Sequence, residues 1–316
     1  MKNKSNAALA LNPTPNTPLD ATFDDAFVYR GMCDASAAAA LGEDLFVVAN
    51  DENNRLLVYR RGQAVAVAQV DLSAFLDTAR DEESDLEGAA TIGQRIYWIS
   101  SHGRNKNGKV RKSRYRFFAT EASGKDARVQ PVGIAYAGLL DDMIATGHLD
   151  KYALKNASSQ TPEAQGALNI EGLAATLFGG LLIGMRNPAP EGMALIVPLL
   201  NPAEVVDGKA APRFGDAIEL DLGGLAIRSI ELVGLAYFIV AGPPGDKGKF
   251  ALYQWSGDAQ DAPLRLQHAA FDTLRPEALF AIPGTRKIAL LSDDGGPHVK
   301  ELDETEQTFR SVTLTL

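Results

Sequence analysis

The chain has a single cysteine, Cys33, among 316 residues. That excludes an internal disulfide and points to a reducing compartment. No apolar run approaches the roughly 20 residues of a membrane-spanning helix. A cytoplasmic location without membrane attachment is therefore the expectation. Positive charge is also short: 31 Lys and Arg face 40 Asp and Glu, for a net charge of -9 and a pI near 5.0. Such a surface argues against nucleic-acid partners and anionic membranes, which both need a basic face. There are only four histidines, His102, His148, His268 and His298, and no zinc-ligand spacing. No Gly-x-Ser-x-Gly elbow occurs. The stretch Gly242 to Phe250 lacks the terminal Ser/Thr and spacing of a phosphate loop, and it lies between strands.

What the chain does have is a repeat. Its clearest copy runs from Asn169 to Asn187: an acid near the start, two apolar runs joined by Gly179-Gly180, and polar residues at the end. This reads as an antiparallel hairpin. Related copies begin at Asp34, Asp85, Arg275 and, in altered form, Ala226. After the first copy, short strands are expected at Arg55 to Arg60 and Ala64 to Val70. Four strands in about fifty residues is the arithmetic of a β-propeller blade. In the second blade, the outer strands are expected near Tyr115 to Thr120 and Arg128 to Ile134.

Aligning the copies puts Ser36, Glu87, Glu171, Arg228 and Glu277 at one equivalent position. Their separations are 51, 84, 57 and 49 residues. The one long interval holds Leu139, Leu140, Met143, Ile144, Tyr152 and Leu154, which fit a helical face. The fold class expected is all-β: a five-bladed propeller over residues 21–316, with a helical insertion at about 136–166 between blades 2 and 3. Residues 1–20 read as a disordered leader, too weakly apolar for a signal peptide. The N-terminal strand, Phe23 to Arg30, should close the ring on the last blade. A single helix is expected over Gly138 to Leu154, and a monomer is the expected state.

The segments Leu86-Glu87-Gly88-Ala89-Ala90, Ser101-His102-Gly103-Arg104-Asn105, Asn169-Ile170-Glu171-Gly172-Leu173-Ala174, Ile227-Arg228-Ser229-Ile230-Glu231 and Ser292-Asp293-Asp294-Gly295 resemble the bacterial domain of unknown function 3616 family. The resemblance runs from about Phe23 to the C-terminus. It implies the propeller and the outline of a site, not a reaction. In repeat style the chain is also similar to propeller enzymes of the esterase-like phytase and lactonase types, without a shared motif.

In a propeller blade the first strand lines the channel and the second runs antiparallel beside it. Five sets of residues should therefore ring one channel mouth. They are Ser36 with Asn50 and Asp51, Glu87 with Ser101 and His102, Glu171 with Arg186 and Asn187, Arg228 with Gly242 to Gly245, and Glu277 with Asp293 and Asp294. Crowded carboxylates need compensation. One reading is structural: Arg228 and then Arg186 balance the charge, and each Glu takes a backbone N–H from the next blade. The other is a ligand site. The basic run Arg104, Lys106, Lys109, Arg111, Lys112, Arg114 and Arg116 reads either as a solvated hairpin or as a gate for an anion.

Two functions follow. In the first, a hydrolase cleaves a small anionic ester, phosphoester or lactone. Glu87, Glu171 and Glu277, helped by Asp51 or Asp293, hold calcium or magnesium or supply a general base. Arg186, Arg228 and His102 orient the anion, with Ser101, Arg104, Asn187 and Asp294 around them. In the second, a non-catalytic propeller grips a ligand, peptide or protein at its rim.

Overall fold

The computed structural model describes residues 22–80, 82–123, 127–162, 164, 166–245, 247–267, 271 and 273–316. The expected leader lies outside the described residues. Five antiparallel sheets form the molecule, and their first strands contact one another in a closed ring. These channel-lining strands are Ala35–Ala40, Leu86–Ile92, Asn169–Ala175, Ala226–Val233 and Pro276–Ile282. Each pairs with the strand that follows it, and two more strands complete the blade.

The apolar runs that make these strands are buried on both faces, so alternation feeds two different layers. In blade 1, Phe46 and Val48 join the layer shared with blade 5, while Val47 and Ala49 join the layer shared with blade 2. In blade 2, Ile96 and Trp98 face blade 1, while Tyr97 and Ile99 face blade 3. Five apolar layers result, one at each blade interface. Each fully buried large aliphatic or aromatic side chain in them contributes about 1.5–3 kcal/mol.

The ring closes through the N-terminal segment. Phe27–Arg30 pairs with Thr308–Ser311, and Thr22 and Phe23 pair with Thr315 and Leu314. The last blade thus takes its outer edge from the start of the chain, which covers an edge that would otherwise template aggregation.

Some boundaries differ from the sequence expectation. The fourth strand of blade 1 is Ala68–Asp71, shorter than Ala64 to Val70. The third and fourth strands of blade 2 are Phe117–Ser123 and Arg128–Tyr136. The segment after Tyr136 does not form one helix from Gly138 to Leu154. Its helix is Leu139–Ala145, followed by a 3-10 turn, Asp150–Tyr152, and a short helix, Leu154–Ala157. Gly147, at φ +73°, breaks the first from the rest. Leu139, Leu140, Met143, Leu149, Tyr152 and Leu154 still reach one apolar layer, that between blades 2 and 3. Among the described residues, no helix is long and apolar enough to cross a membrane.

Candidate functional site

Every channel-lining strand carries a β-bulge at the same place. The ladder slips between Ala35 and Ala37, Leu86 and Gly88, Ile170 and Gly172, Ile227 and Ser229, and Pro276 and Ala278. The skipped residues are Ser36, Glu87, Glu171, Arg228 and Glu277, the five equivalent positions of the repeat. A bulge residue leaves the ladder and its side chain is re-aimed. Five bulges in register bring these side chains to one ring. The residue after each bulge is small, because the inner strands approach closely there. A Cβ on Gly172 would stand 2.7 Å from Ile227 Cγ2, and one on Gly88 would stand 2.9 Å from Leu173 Cβ.

The ring is electrostatically divided. On one side Arg228, in blade 4, sits between blades 3 and 5. Its Nε lies 2.9 Å from Glu171 Oε2, and its Nη2 pairs with Glu277. Arg186 Nη1 and Asn169 Nδ2 each donate to Glu171 Oε1 at 2.9 Å. Burial pushes the Glu171 carboxyl upward, and Arg228 and Arg186 oppose that push. Phe250 packs against the Arg228 guanidinium. The Arg228 pKa is raised, because Glu171 and Glu277 outweigh the cost of burial. This half is balanced within the protein.

The other half is not. Asp51, Asp85 and Glu87, from blades 1 and 2, each place a carboxylate oxygen within 4.8 Å of the others. Asp51 and Glu87 keep some exposed surface as residues, but their carboxyl groups lie deep in the ring. Asp51 Oδ1 is sealed from solvent and accepts no hydrogen bond from any described residue. No described residue donates to Glu87. Burial, then Asp85 and Glu171, holds Glu87 well above the usual carboxylate range. Burial, then Asp34 and Asp85, does the same to Asp51, with Lys300 opposing. Asp85 has partial relief: Arg114 Nη1 donates to Asp85 Oδ2 at 2.7 Å, and the Ser101 hydroxyl lies beside it. Burial still pushes Asp85 up to about 6.

Next to this trio, Asp34 pairs with Lys300 at 3.3 Å, and Lys300 also holds Glu52. A second group of oxygens, from Asp34, Asp51 and Glu52, is therefore capped by a lysine. Asp293 accepts the Gly295 N–H at 2.7 Å; burial, then the Glu277 charge, pushes it up to about 8.

Several expected site residues have other duties. Glu171 and Glu277, expected as metal ligands, are neutralised by Arg228, which is itself committed to them rather than to an anion. His102 adopts φ +55° and is fully buried. Its Nδ1 lies 2.8 Å from Ser100 O, its ring stands edge-on to Tyr115, and burial, then Arg116, lowers its pKa to about 4. Its Nε2 is buried and meets no hydrogen-bond partner among the described residues. Arg104 donates to Ser158 O and Gly108 O, both at 2.9 Å, so it ties the hairpin to the helical segment. Arg186 Nε and Asn187 Nδ2 both donate to Pro244 O, at 3.1 and 3.0 Å. Asp294 accepts from Arg310 Nη2 at 2.6 Å and from Ser292 Oγ at 2.9 Å. No described Glu of the ring takes a backbone N–H; Ser229 and Glu231 do, from Leu279 and Ala281 of blade 5.

Asp34, Asp85 and Lys300 were not among the expected site residues, and Arg114 was expected only within the basic run, not as the partner of Asp85. Asp34 and Asp85 head their repeat copies, two residues before the bulge, and that was their visible signal. Lys300 comes from the distant helix Pro297–Lys300 and has none.

A family model described as "Protein of unknown function (DUF3616)" matches residues 34–129 and 138–287. The chain belongs to this family. No curated protein matches this DUF3616 member. Among solved structures it is similar to Myxococcus xanthus glutaminyl cyclase, at 11% identity and TM-score 0.52, covering 93% of this chain and 96% of that one. It is also similar to the PQQ-bound aldose sugar dehydrogenase of Streptomyces coelicolor, at 13% identity and TM-score 0.46, covering 92% and 98%. At such identities the first likeness speaks for the propeller fold of the DUF3616 chain and nothing finer.

Proposed function

We propose that the channel mouth is a hydrolase site for a small ester, phosphoester or lactone, built on a divalent cation held by Asp51, Asp85 and Glu87. The observation that carries this reading is the division of the ring. One half has its own counter-charges, while the other keeps a sealed Asp51 oxygen and a Glu87 carboxylate that no described residue hydrogen-bonds. Buried carboxylates of that kind either hold a proton or coordinate a cation. Oxygens around calcium at about 2.3–2.6 Å lie within ~5 Å of one another, as this trio does, and an all-oxygen set favours calcium or magnesium over zinc. When bound, such an ion polarises a carbonyl or phosphoryl oxygen. Glu171, Glu277 and Arg228 fix the shape of the opposite wall. Asp293, whose carboxyl burial and the Glu277 charge push up to about 8, stands beside Asp34 and suits donation to a leaving alkoxide.

The test is turnover of chromogenic ester, phosphoester and lactone panels with calcium, magnesium, manganese or a chelator. The reading expects chelator-sensitive hydrolysis of at least one class, and a loss of about 100-fold or more in Glu87→Gln. Cation binding without turnover would leave a ligand-binding propeller. Undiminished activity in Glu87→Gln would refute the site.

A further inference from the structure

A cleft of about 740 Å³ opens beside the channel mouth, between the loop after Asn50 in blade 1 and the segment around Lys300 to Gln307 in blade 5. It begins at Asp34 and Asn50, and two of its lining carboxylates, Asp34 and Glu52, stand within 4.8 Å of Asp51, so the cleft adjoins the acidic trio, whose own side chains do not line it. Its size lies within the range of small-molecule sites, but its walls do not resemble the usual apolar pocket. Every side chain lining it is polar or charged.

The charges of the cleft are already matched. Arg55 pairs with Glu304, Arg80 Nε lies 3.2 Å from Asp71 Oδ2, and Lys300 holds both Asp34 and Glu52. Four carboxylates thus face three cations, and Asp51 and Glu87 lie just beyond. An anionic ligand would meet no unmatched positive charge here and would approach a negative ring. A largely apolar ester would find no surface to cover. What remains unmatched is neutral hydrogen-bonding capacity. Asn50 Oδ1 accepts the Glu52 N–H at 2.8 Å and Asn53 Oδ1 accepts the Arg55 N–H at 3.0 Å, which orients both amides. No described residue meets Asn50 Nδ2, Asn53 Nδ2 or the Gln69 side-chain amide. Oriented amides and paired carboxylates offer alternating donors and acceptors, which suit hydroxyl groups.

We infer that the cleft binds a neutral, polyhydroxylated molecule, and that the substrate of the mouth is an ester or lactone of that class rather than a phosphoester. The substrate part rests on the hydrolase reading; the binding part does not. Hydrolysis balances simply: water adds to the carbonyl carbon, the acyl C–O bond breaks, and the leaving oxygen takes the proton.

The test titrates three probes into the wild-type protein, following chemical shifts and product formation. The probes are glucono-1,5-lactone, glucose 6-phosphate and 4-nitrophenyl acetate. Saturable binding of the lactone in preference to the other two is expected. Asn53→Leu combined with Gln69→Leu should weaken it about tenfold, because it removes Asn53 Nδ2 and the Gln69 amide, which no described residue meets. Glu87→Gln should keep the binding and lose the turnover. Lactone binding without turnover in the wild type would sink the hydrolase reading and leave the cleft's ligand class standing. Tighter binding of glucose 6-phosphate, no lactone binding, or an unaffected double variant would overturn the inference.

Discussion

Arg228 is the residue whose removal discriminates best between structure and catalysis. It is buried, and it bridges Glu171 and Glu277 across three blades. Arg228→Ala leaves the buried Glu171 and the half-buried Glu277 without their main counter-charge, at a cost of about 3–5 kcal/mol. Adding Glu171→Gln removes one of them, so the double variant should recover part of that loss. Urea unfolding of the wild type, the two single variants and the double variant measures the coupling; strictly additive losses would show that the pair does not interact. The equivalence of Glu87, Glu171, Arg228 and Glu277 was legible in the sequence because the same hairpin pattern recurs around each of them, even across the one long interval. Which carboxylates remain uncompensated was not, since that depends on ring neighbours and on Lys300 and Arg114 arriving from other loops. The left-handed backbone and full burial of His102 were likewise not legible, since a position at a strand end implies neither.

At the scale of the element, the decisive device is the bulge. Simple period-two alternation puts alternate side chains of an inner strand on the same face, and a slip of one residue changes the face. The repeat alignment found the right position in each copy without revealing why it is special. The small residue that follows is the trace of the bulge in the sequence, as in Glu87-Gly88 and Glu171-Gly172. Gly172→Ala should therefore destabilise by about 1–3 kcal/mol, because the added methyl meets Ile227, Ile230 and the backbone of Gly184. Denaturant midpoints check this; a neutral or stabilising result would mean that the inner ring is looser than described. The helical segment shows the limit of periodicity. Its apolar residues were recognisable, but Gly147 divides them into short turns that still serve one layer.

At the scale of the molecule, five sheets, five apolar layers and a chain-terminal closure make one ring, and this much followed from copy number and spacing. The consequence for function is concentration: each blade delivers its bulge residue to the same mouth. Charge is then distributed unevenly, with the arginine side balanced and the side of blades 1 and 2 left acidic. A divalent ion is the simplest partner for that second half, and it would stabilise the fold by mass action, by about 2.7 kcal/mol at a hundredfold excess over its Kd.

Thermal unfolding with calcium, magnesium, manganese or a chelator tests this most directly, in the wild type, Glu87→Gln and Glu171→Gln. The account predicts that at least one ion raises the wild-type midpoint, that Glu87→Gln abolishes the rise, and that Glu171→Gln, whatever its own stability, retains it. An unresponsive wild type, or a response lost in Glu171→Gln and kept in Glu87→Gln, would contradict it.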